Sequence, residues 1–246
     1  MNSKEKETYS RQIVIPGIGE EGQEKIKKSK ILIIGAGGLG SPAALYLSAA
    51  GVGTIGIMDN DNVELSNLQR QIIHSTHELN TPKVTSAAIK MKDRNPSMEI
   101  IIYNELLTES NADKIISDYD FIIDATDNFA AKYLINDVCV NLKKSYSHGA
   151  VIRFGGEAFT YIPGHACYRC IFGEAPSSSS MMTNKEAGVM GSVVGIIGTI
   201  QATEAIKYIC GIGELLTDKL LVVDALNMNF NKIRFGNVRC GRCNKG

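Results

Sequence analysis

The sequence lacks a net charge, because 26 Lys and Arg are matched by 26 Asp and Glu. No global field therefore favours nucleic acid or an anionic membrane, although local phosphate sites remain compatible with the balance. An apolar leader is also missing, since the opening MNSKEKETYS is too polar for a signal peptide. No uninterrupted apolar run looks long enough for a membrane helix. These absences point to the cytosol, with no membrane partner and no nucleic-acid partner expected. Cysteine is scarce, and four of the six residues fall in two C-x-x-C pairs. In a reducing compartment that pattern suggests a metal site rather than a disulfide framework. The length of 246 residues suits one large domain able to bury a sizeable core.

The most informative stretch runs from Lys30 to Arg70. Ile31 to Ile34 read as a buried parallel strand, and Gly35, Gly37 and Gly40 follow at the G-x-G-x-x-G spacing, with Gly38 between them. Glycines there let the turn tighten and let a phosphate reach the amides at the start of the next helix. Pro42 suits the first turn of that helix, which continues to Ala50, and Gly51 is placed to end it as a left-handed cap. A second strand, Thr54 to Met58, delivers Asp59 near the roughly 20-residue offset at which a carboxylate binds ribose hydroxyls. This order of elements predicts a βαβ nucleotide fold. A nicotinamide dehydrogenase is the commonest tenant of the fingerprint, so residues outside it must decide which nucleotide is bound.

A polar loop after Asp59 carries Asn67 and Arg70, and a helix begins near Thr81-Pro82 with Lys83 in its first turn. Asn67, Arg70 and Lys83 lie where an open α/β sheet binds ligands, at the carboxyl end of a strand, and could converge on phosphates. Glu99 to Tyr103, Phe121 to Asp124 and Ser145 to Ala150 read as further strands, and Asn111 to Ser117 and Phe129 to Leu142 as helices. Asp127, just past the strand ending at Asp124, is a candidate to hold Mg²⁺ against a triphosphate, with capping of the next helix as its alternative role. Asp124 reads as a structural acid and Cys139 as core. His74 and His77 have no acidic or cysteine partner nearby that would make them a metal site.

From Val151 the alternating, glycine-punctuated IRFGGEAFTYIPG suggests a change from parallel to antiparallel pairing. The expected division is a nucleotide-binding half over 1–150 and a second half over 151–246. In the second half Cys167, Cys170, Cys240 and Cys243 form a four-thiolate set suited to a closed, structural zinc site, against the alternatives of a redox pair or unpaired thiols. EAPSSSSMMTNKEAG reads as a loop and VMGSVVGIIGTIQATEAIKYICG as a buried core helix. On that helix Gly191, Gly195 and Gly198 would allow close packing. Lys219 to Val223 supplies a last hydrophobic strand, which NFNKIRF extends.

Taken together, Ser10-Arg11-Gln12, the Gly35 to Gly40 loop, Asp59, Ser66-Asn67-Leu68-Gln69-Arg70-Gln71, Pro82-Lys83, Ala125-Thr126-Asp127-Asn128, Cys167-Tyr-Arg-Cys170, Glu186-Ala-Gly-Val189 and Cys240-x-x-Cys243 resemble the bacterial members of the ubiquitin-activating superfamily. Those are the molybdopterin-synthase and thiamine-biosynthesis adenylyltransferases. The resemblance covers nearly the whole chain. It implies a Rossmann-like α/β sheet, parallel in its first half and mixed in its second, with a structural zinc clip. It also implies ATP-dependent adenylation of the C-terminal Gly-Gly carboxylate of a small ubiquitin-like sulfur carrier. ATP, Mg²⁺ and Zn²⁺ would be the implied cofactors. Asp59 would bind ribose, Gly35 to Gly40 the phosphates, and Asn67, Arg70, Lys83 and Asp127 the triphosphate with its metal. Arg11 has no role assignable from composition; the resemblance makes it an arginine reaching over from the second subunit of a homodimer. Asn184 stands where many relatives carry cysteine, so no thioester step through that position is expected. A related tRNA-modifying dehydratase and a non-catalytic or NAD-binding Rossmann protein are the alternative readings.

Overall fold

The computed structural model of the protein describes residues 1–174, 187–236 and 238–243. Its centre is an eight-stranded sheet, in the order β3-β2-β1-β4-β5-β6-β7-β8. β1 (Lys30–Ile34), β2 (Thr54–Met58), β3 (Glu99–Tyr103), β4 (Phe121–Asp124) and β5 (Ser145–Ile152) are mutually parallel. β5 then turns into β6 (Gly155–Tyr161), which pairs antiparallel along its whole length from Tyr146↔Tyr161 to Ile152↔Gly155. β7 (Lys219–Asp224) and β8 (Asn229–Arg234) continue antiparallel to the edge. The change of direction falls at the Val151 segment, as its alternation predicts.

Successive side chains of a strand face opposite sides of a sheet. Ile31 and Ile33 of β1 accordingly join one core, with Ile55, Ile57, Phe121 and Ile123. Leu32 and Ile34 join the other, with Met58, Ile122 and Tyr146. Burial on both faces explains why β1, β2 and β4 read as continuous apolar runs rather than alternating ones. The first face is covered by α3 (Gly19–Lys28), α4 (Gly40–Ala50), α5 (Lys83–Arg94) and α9 (Gly191–Cys210). The second is covered by α6 (Ala112–Ser117), α7 (Phe129–Asn141) and α8 (Tyr168–Phe172). Two short helices, α1 (Ser3–Thr8) and α2 (Ser10–Ile13), precede them.

Gly51 ends α4 at φ 92°, as its position predicts. Asn128, not Asp127, caps α7, because its side chain accepts from the Ala131 amide. The three glycines of α9 do not act alike. A Cβ at Gly191 would strike the Gln69 carbonyl and one at Gly198 the Leu39 carbonyl, whereas Gly195 has nothing within 4 Å and serves no close packing. By length and composition alone α9 could cross a membrane, with a mean hydropathy of 1.3, contrary to the reading that no span is long enough. Half of its most apolar window is packed inside the protein, where Gln201 and Glu204 are buried and bonded.

Candidate nucleotide and metal sites

The parallel strands reverse their order of addition between β1 and β4, since β2 and β3 lie on one side of β1 and β4 and β5 on the other. Loops leaving the carboxyl ends of two such strands diverge and open a crevice. The loop after β1 is the glycine loop, and the loop after β4 carries Asp127.

The glycines are required by contact as well as by conformation. Gly35 has φ +104°, and a Cβ there would come within 2.6 Å of the Ala125 carbonyl oxygen, on the Asp127 loop. A Cβ at Gly40 would overlap the Gly35 carbonyl, so the turn into α4 closes only with glycine. At Gly38 the vacant volume is filled by Val194 of α9, so this glycine also docks the loop on the helix behind it. A Cβ at Gly37 would lie 3.4 Å from the Gln71 side-chain amide nitrogen. The amides of Gly37 and Gly38 donate to no group among the described residues, which leaves them free to take an acceptor.

Asp59 follows β2 and accepts from the Ala36 amide through Oδ2 (2.8 Å) and from the Asp61 amide through Oδ1 (2.9 Å). It therefore braces the glycine loop. His74 supports the same loop from beneath: Nε2 meets the Ala36 carbonyl at 2.9 Å and Nδ1 meets Ser86 Oγ at 2.8 Å. Burial is the larger influence on His74 and lowers its pKa, against the opposing bond to Ala36. A neutral ring protonated on Nε2 satisfies both partners.

Lys83 is buried, with Nζ 2.7 Å from Asp61 and 4.0 Å from Asp59. Its backbone amide bonds the Asp61 carbonyl, fixing the start of α5 to the segment after Asp59. Asn67 is buried at the end of a 3₁₀ turn, Leu65–Asn67, with Oδ1 accepting from the Glu64 amide. Arg70 bonds the Ser66 carbonyl at 3.1 Å, and its Cγ lies 3.7 Å from the Cβ position of Gly38. Asp127 is exposed and has no ion-pair or hydrogen-bond partner among the described residues. A lone carboxylate at a strand end suits Mg²⁺, which takes few protein ligands and keeps its waters.

Arg11 is the exception to this convergence. It is exposed on α2, whose Gln12 bonds Gln23 and the Ala50 carbonyl, at the far end of α4 from the glycine loop. α4 has 11 residues, so the separation is roughly 16 Å at 1.5 Å per residue. Arg11 does not reach the crevice of its own chain.

The sequence marks Asp124 as a structural acid, which the structure bears out, but its partners Lys132 and His148 were passed over. Asp124 is buried and accepts from the Thr126 amide (3.1 Å), Thr126 Oγ1 (2.6 Å), Lys132 Nζ (3.2 Å) and His148 Nδ1 (2.9 Å). Burial alone would raise the Asp124 pKa, but the Lys132 charge and the His148 and Thr126 hydrogen bonds outweigh it and hold the carboxyl well below the usual carboxylate range. The network locks the turn that presents Asp127 to the first helical turns of α7. A signal was present: Lys132 shares a helical face with the buried Ile135, Asn136 and Cys139, where a lysine needs a partner.

At the other end of α7, the Sγ atoms of Cys167, Cys170, Cys240 and Cys243 lie within 4.8 Å of one another. Four thiols so gathered could hold a metal ion, and the donor set fits tetrahedral zinc. Burial pushes the Cys167 thiol up and takes Cys243 to about 11. At Cys240 burial is outweighed by the backbone amides of Cys243 and Arg242, which bring it to about 7. Cys139 and Cys210 are buried thiols whose pKa values burial raises, so neither is an accessible nucleophile. Asn184 and most of the serine-rich segment lie outside the described residues.

Comparison with known proteins places this geometry. The SAMP-activating enzyme E1 of Haloferax volcanii is 39% identical over 247 residues, covering 100% of this chain and 92% of that protein. Adenylyltransferase and sulfurtransferase MOCS3 of Arabidopsis thaliana is 45% identical over 96% of this chain and 51% of its own length. The Aedes aegypti MOCS3 is 41% identical over 99% of this chain and 56% of its own. The chain thus spans about half the length of the MOCS3 relatives it matches. Among solved structures, E. coli MccB superposes with a TM-score of 0.85 over 99% of this chain and 74% of that one, at 22% identity, a likeness of fold. The ThiF family model matches residues 9–244. With the glycine loop, Asp59 and the Asp127 turn set around one crevice and a four-cysteine cluster behind it, this chain belongs to the ThiF family.

Proposed function

We propose that the protein catalyses ATP-dependent adenylation of the C-terminal glycine of a small ubiquitin-like sulfur-carrier protein, releasing pyrophosphate, for sulfur transfer in molybdopterin or thiamine biosynthesis. The observation that carries the reading is the convergence of open loop amides, Asp59, Arg70, Lys83 and a lone Asp127 on one switch-point crevice. The relatives' names, adenylyltransferase and activating enzyme, support the same reaction class.

The chemistry suits these residue types. A carboxylate is a poor acyl donor because its leaving group would be oxide, whereas an acyl-adenylate leaves as AMP. A C-terminal carboxylate is already ionised at neutral pH, so its attack on the α-phosphate needs no general base. What the reaction needs is charge neutralisation on the departing pyrophosphate, and Arg70 and Lys83 supply it. Lys83 would exchange Asp61 for phosphate oxygen. Asp127 would hold Mg²⁺, which supplies Lewis-acid charge when bound. Asp59 would take the ribose hydroxyls, and Asn67 with Gly35, Gly37, Gly38 and Gly40 the phosphates. In this reading the protein works as a cytoplasmic homodimer, with Arg11 completing the partner's site. The half over 151–246 docks the carrier and holds Zn²⁺ on Cys167, Cys170, Cys240 and Cys243.

ATP–pyrophosphate exchange tests this reading, with a ubiquitin-like carrier ending in Gly-Gly and the same carrier lacking its last glycine. Exchange should require the intact carrier and disappear in Asp127→Ala. Exchange that ignores the carrier, or hydride transfer with NAD, would overturn the assignment; unchanged exchange in Asp127→Ala would remove the metal role.

A further inference from the structure

The residue before the second cysteine is arginine in both pairs, Arg169 in Cys167-Tyr-Arg-Cys170 and Arg242 in Cys240-Gly-Arg-Cys243. Both arginines bind one carboxylate that is not itself a thiol ligand, Asp137 on α7. Arg169 is bidentate, with Nε 2.7 Å from Oδ1 and Nη2 2.9 Å from Oδ2. Arg242 adds a single contact, Nη1 to Oδ2 at 2.8 Å. The Arg169 arm is the buried one, lying over the Tyr133 ring at 4.7 Å and also paired with Glu174. Arg242 is half exposed. The two cysteine segments also touch directly, through the Cys240 amide donating to Cys170 Sγ at 3.1 Å.

We infer that Asp137 is a positioning residue for the metal. It clamps the two cysteine segments together through their arginines, so that the ligands stand in register and the ion, once bound, is retained. The inference rests on the zinc reading of the four-cysteine cluster. Four thiolates around a divalent ion carry a net charge of about −2 and repel one another before it binds. The clamp is itself close to neutral, since Asp137 and Glu174 match the two guanidinium groups, so it acts by fixing position against that repulsion and not by supplying charge. Joining segments from distant parts of the chain also costs ordering entropy, and a clamp that survives without metal reduces this cost at each loss and rebinding. The two arms are unequal by geometry. A planar bidentate contact cannot be copied by an ammonium, whereas the single contact of Arg242 can.

The test follows zinc release from the loaded full-length protein to a chromogenic chelator, after metal content has been measured. Partners of this kind typically alter metal affinity 10–100-fold, so Asp137→Asn should release zinc about 10-fold faster or more. Arg242→Gln should fall between it and wild type, and Arg242→Lys should return toward wild type. The double variant Asp137→Asn/Arg242→Gln should release no faster than Asp137→Asn alone, since the second change removes a contact already lost. Wild-type release from folded Asp137→Asn, or strictly multiplicative effects in the double variant, would overturn the clamp. Should Asp137→Asn fail to fold, Arg242→Gln decides: unchanged release overturns the inference, and faster release repaired by lysine supports it. Absence of zinc from the wild-type protein would instead overturn the zinc reading.

Discussion

Replacing Asp124 by asparagine keeps its shape and removes its charge. In the folded protein that carboxylate is the partner of Lys132, at 3.2 Å, and both side chains are about 95% buried or more, with 1% and 5% exposure. Asparagine leaves the ammonium without a counter-ion inside the protein, and removing one partner of a buried pair costs about 3–5 kcal/mol. For a chain of this size that corresponds to a midpoint lower by about 6–20 °C. Urea unfolding should report the loss as a lower midpoint with an unchanged slope, because the surface exposed on unfolding is the same. If the cost comes from the stranded lysine, Asp124→Asn/Lys132→Met should be more stable than the sum of the single changes by about 1 kcal/mol or more. A loss below about 1 kcal/mol in Asp124→Asn, or additivity in the double variant, would refute the reasoning. The pH dependence carries the same signature. Because the folded carboxyl titrates below its ordinary value, the unfolded chain takes up the proton first as pH falls. The Asp124 contribution is therefore complete above about pH 3.9 and is lost progressively as pH drops through the lower folded value. His74 acts in a separate window: its lowered pKa means that the unfolded chain protonates first, so stability should begin to fall as pH drops below about 6.5.

Mixing inactive Arg11→Ala and Asp127→Ala proteins under conditions that exchange subunits should restore exchange activity, because a mixed dimer holds one site with its own Asp127 and an intact Arg11 from its partner. No recovery after verified subunit exchange would show that Arg11 does not act in trans. Gly40→Ala should abolish ATP binding, since the new methyl would overlap the Gly35 carbonyl and push the loop open; binding at wild-type affinity in calorimetry would contradict the close turn. Neither Cys139→Ala nor Cys210→Ala should remove a carrier adduct, because both thiols are buried with raised pKa values. A reducible adduct lost in either variant would show that one of them is reached by the carrier.

Much of this protein follows from local order in the chain. The strands β1, β2 and β4 are short apolar runs bounded by turn residues, and a strand buried on both faces has no other way to read. The glycine loop, Gly51 and the C-x-x-C pairs are legible for a related reason: each is a backbone or ligand requirement met within a few residues, so spacing alone exposes it. Asp59 and Asp127 were legible as candidates for the same reason, since each lies within three residues of a strand end. Contacts between segments far apart in sequence were decided only by the tertiary structure. Asp124 joins Lys132 and His148 because β4 and β5 are neighbours and α7 folds back over them. Gly191 and Gly198 differ from Gly195 because the Gln69 and Leu39 carbonyls happen to lie against two of the three. Arg11 is separated from the crevice by the length of α4, which no pattern within Ser10-Arg11-Gln12 encodes. Asp137 gathers two arginines from opposite ends of the second half, and each reads as an ordinary surface charge until the thiols meet.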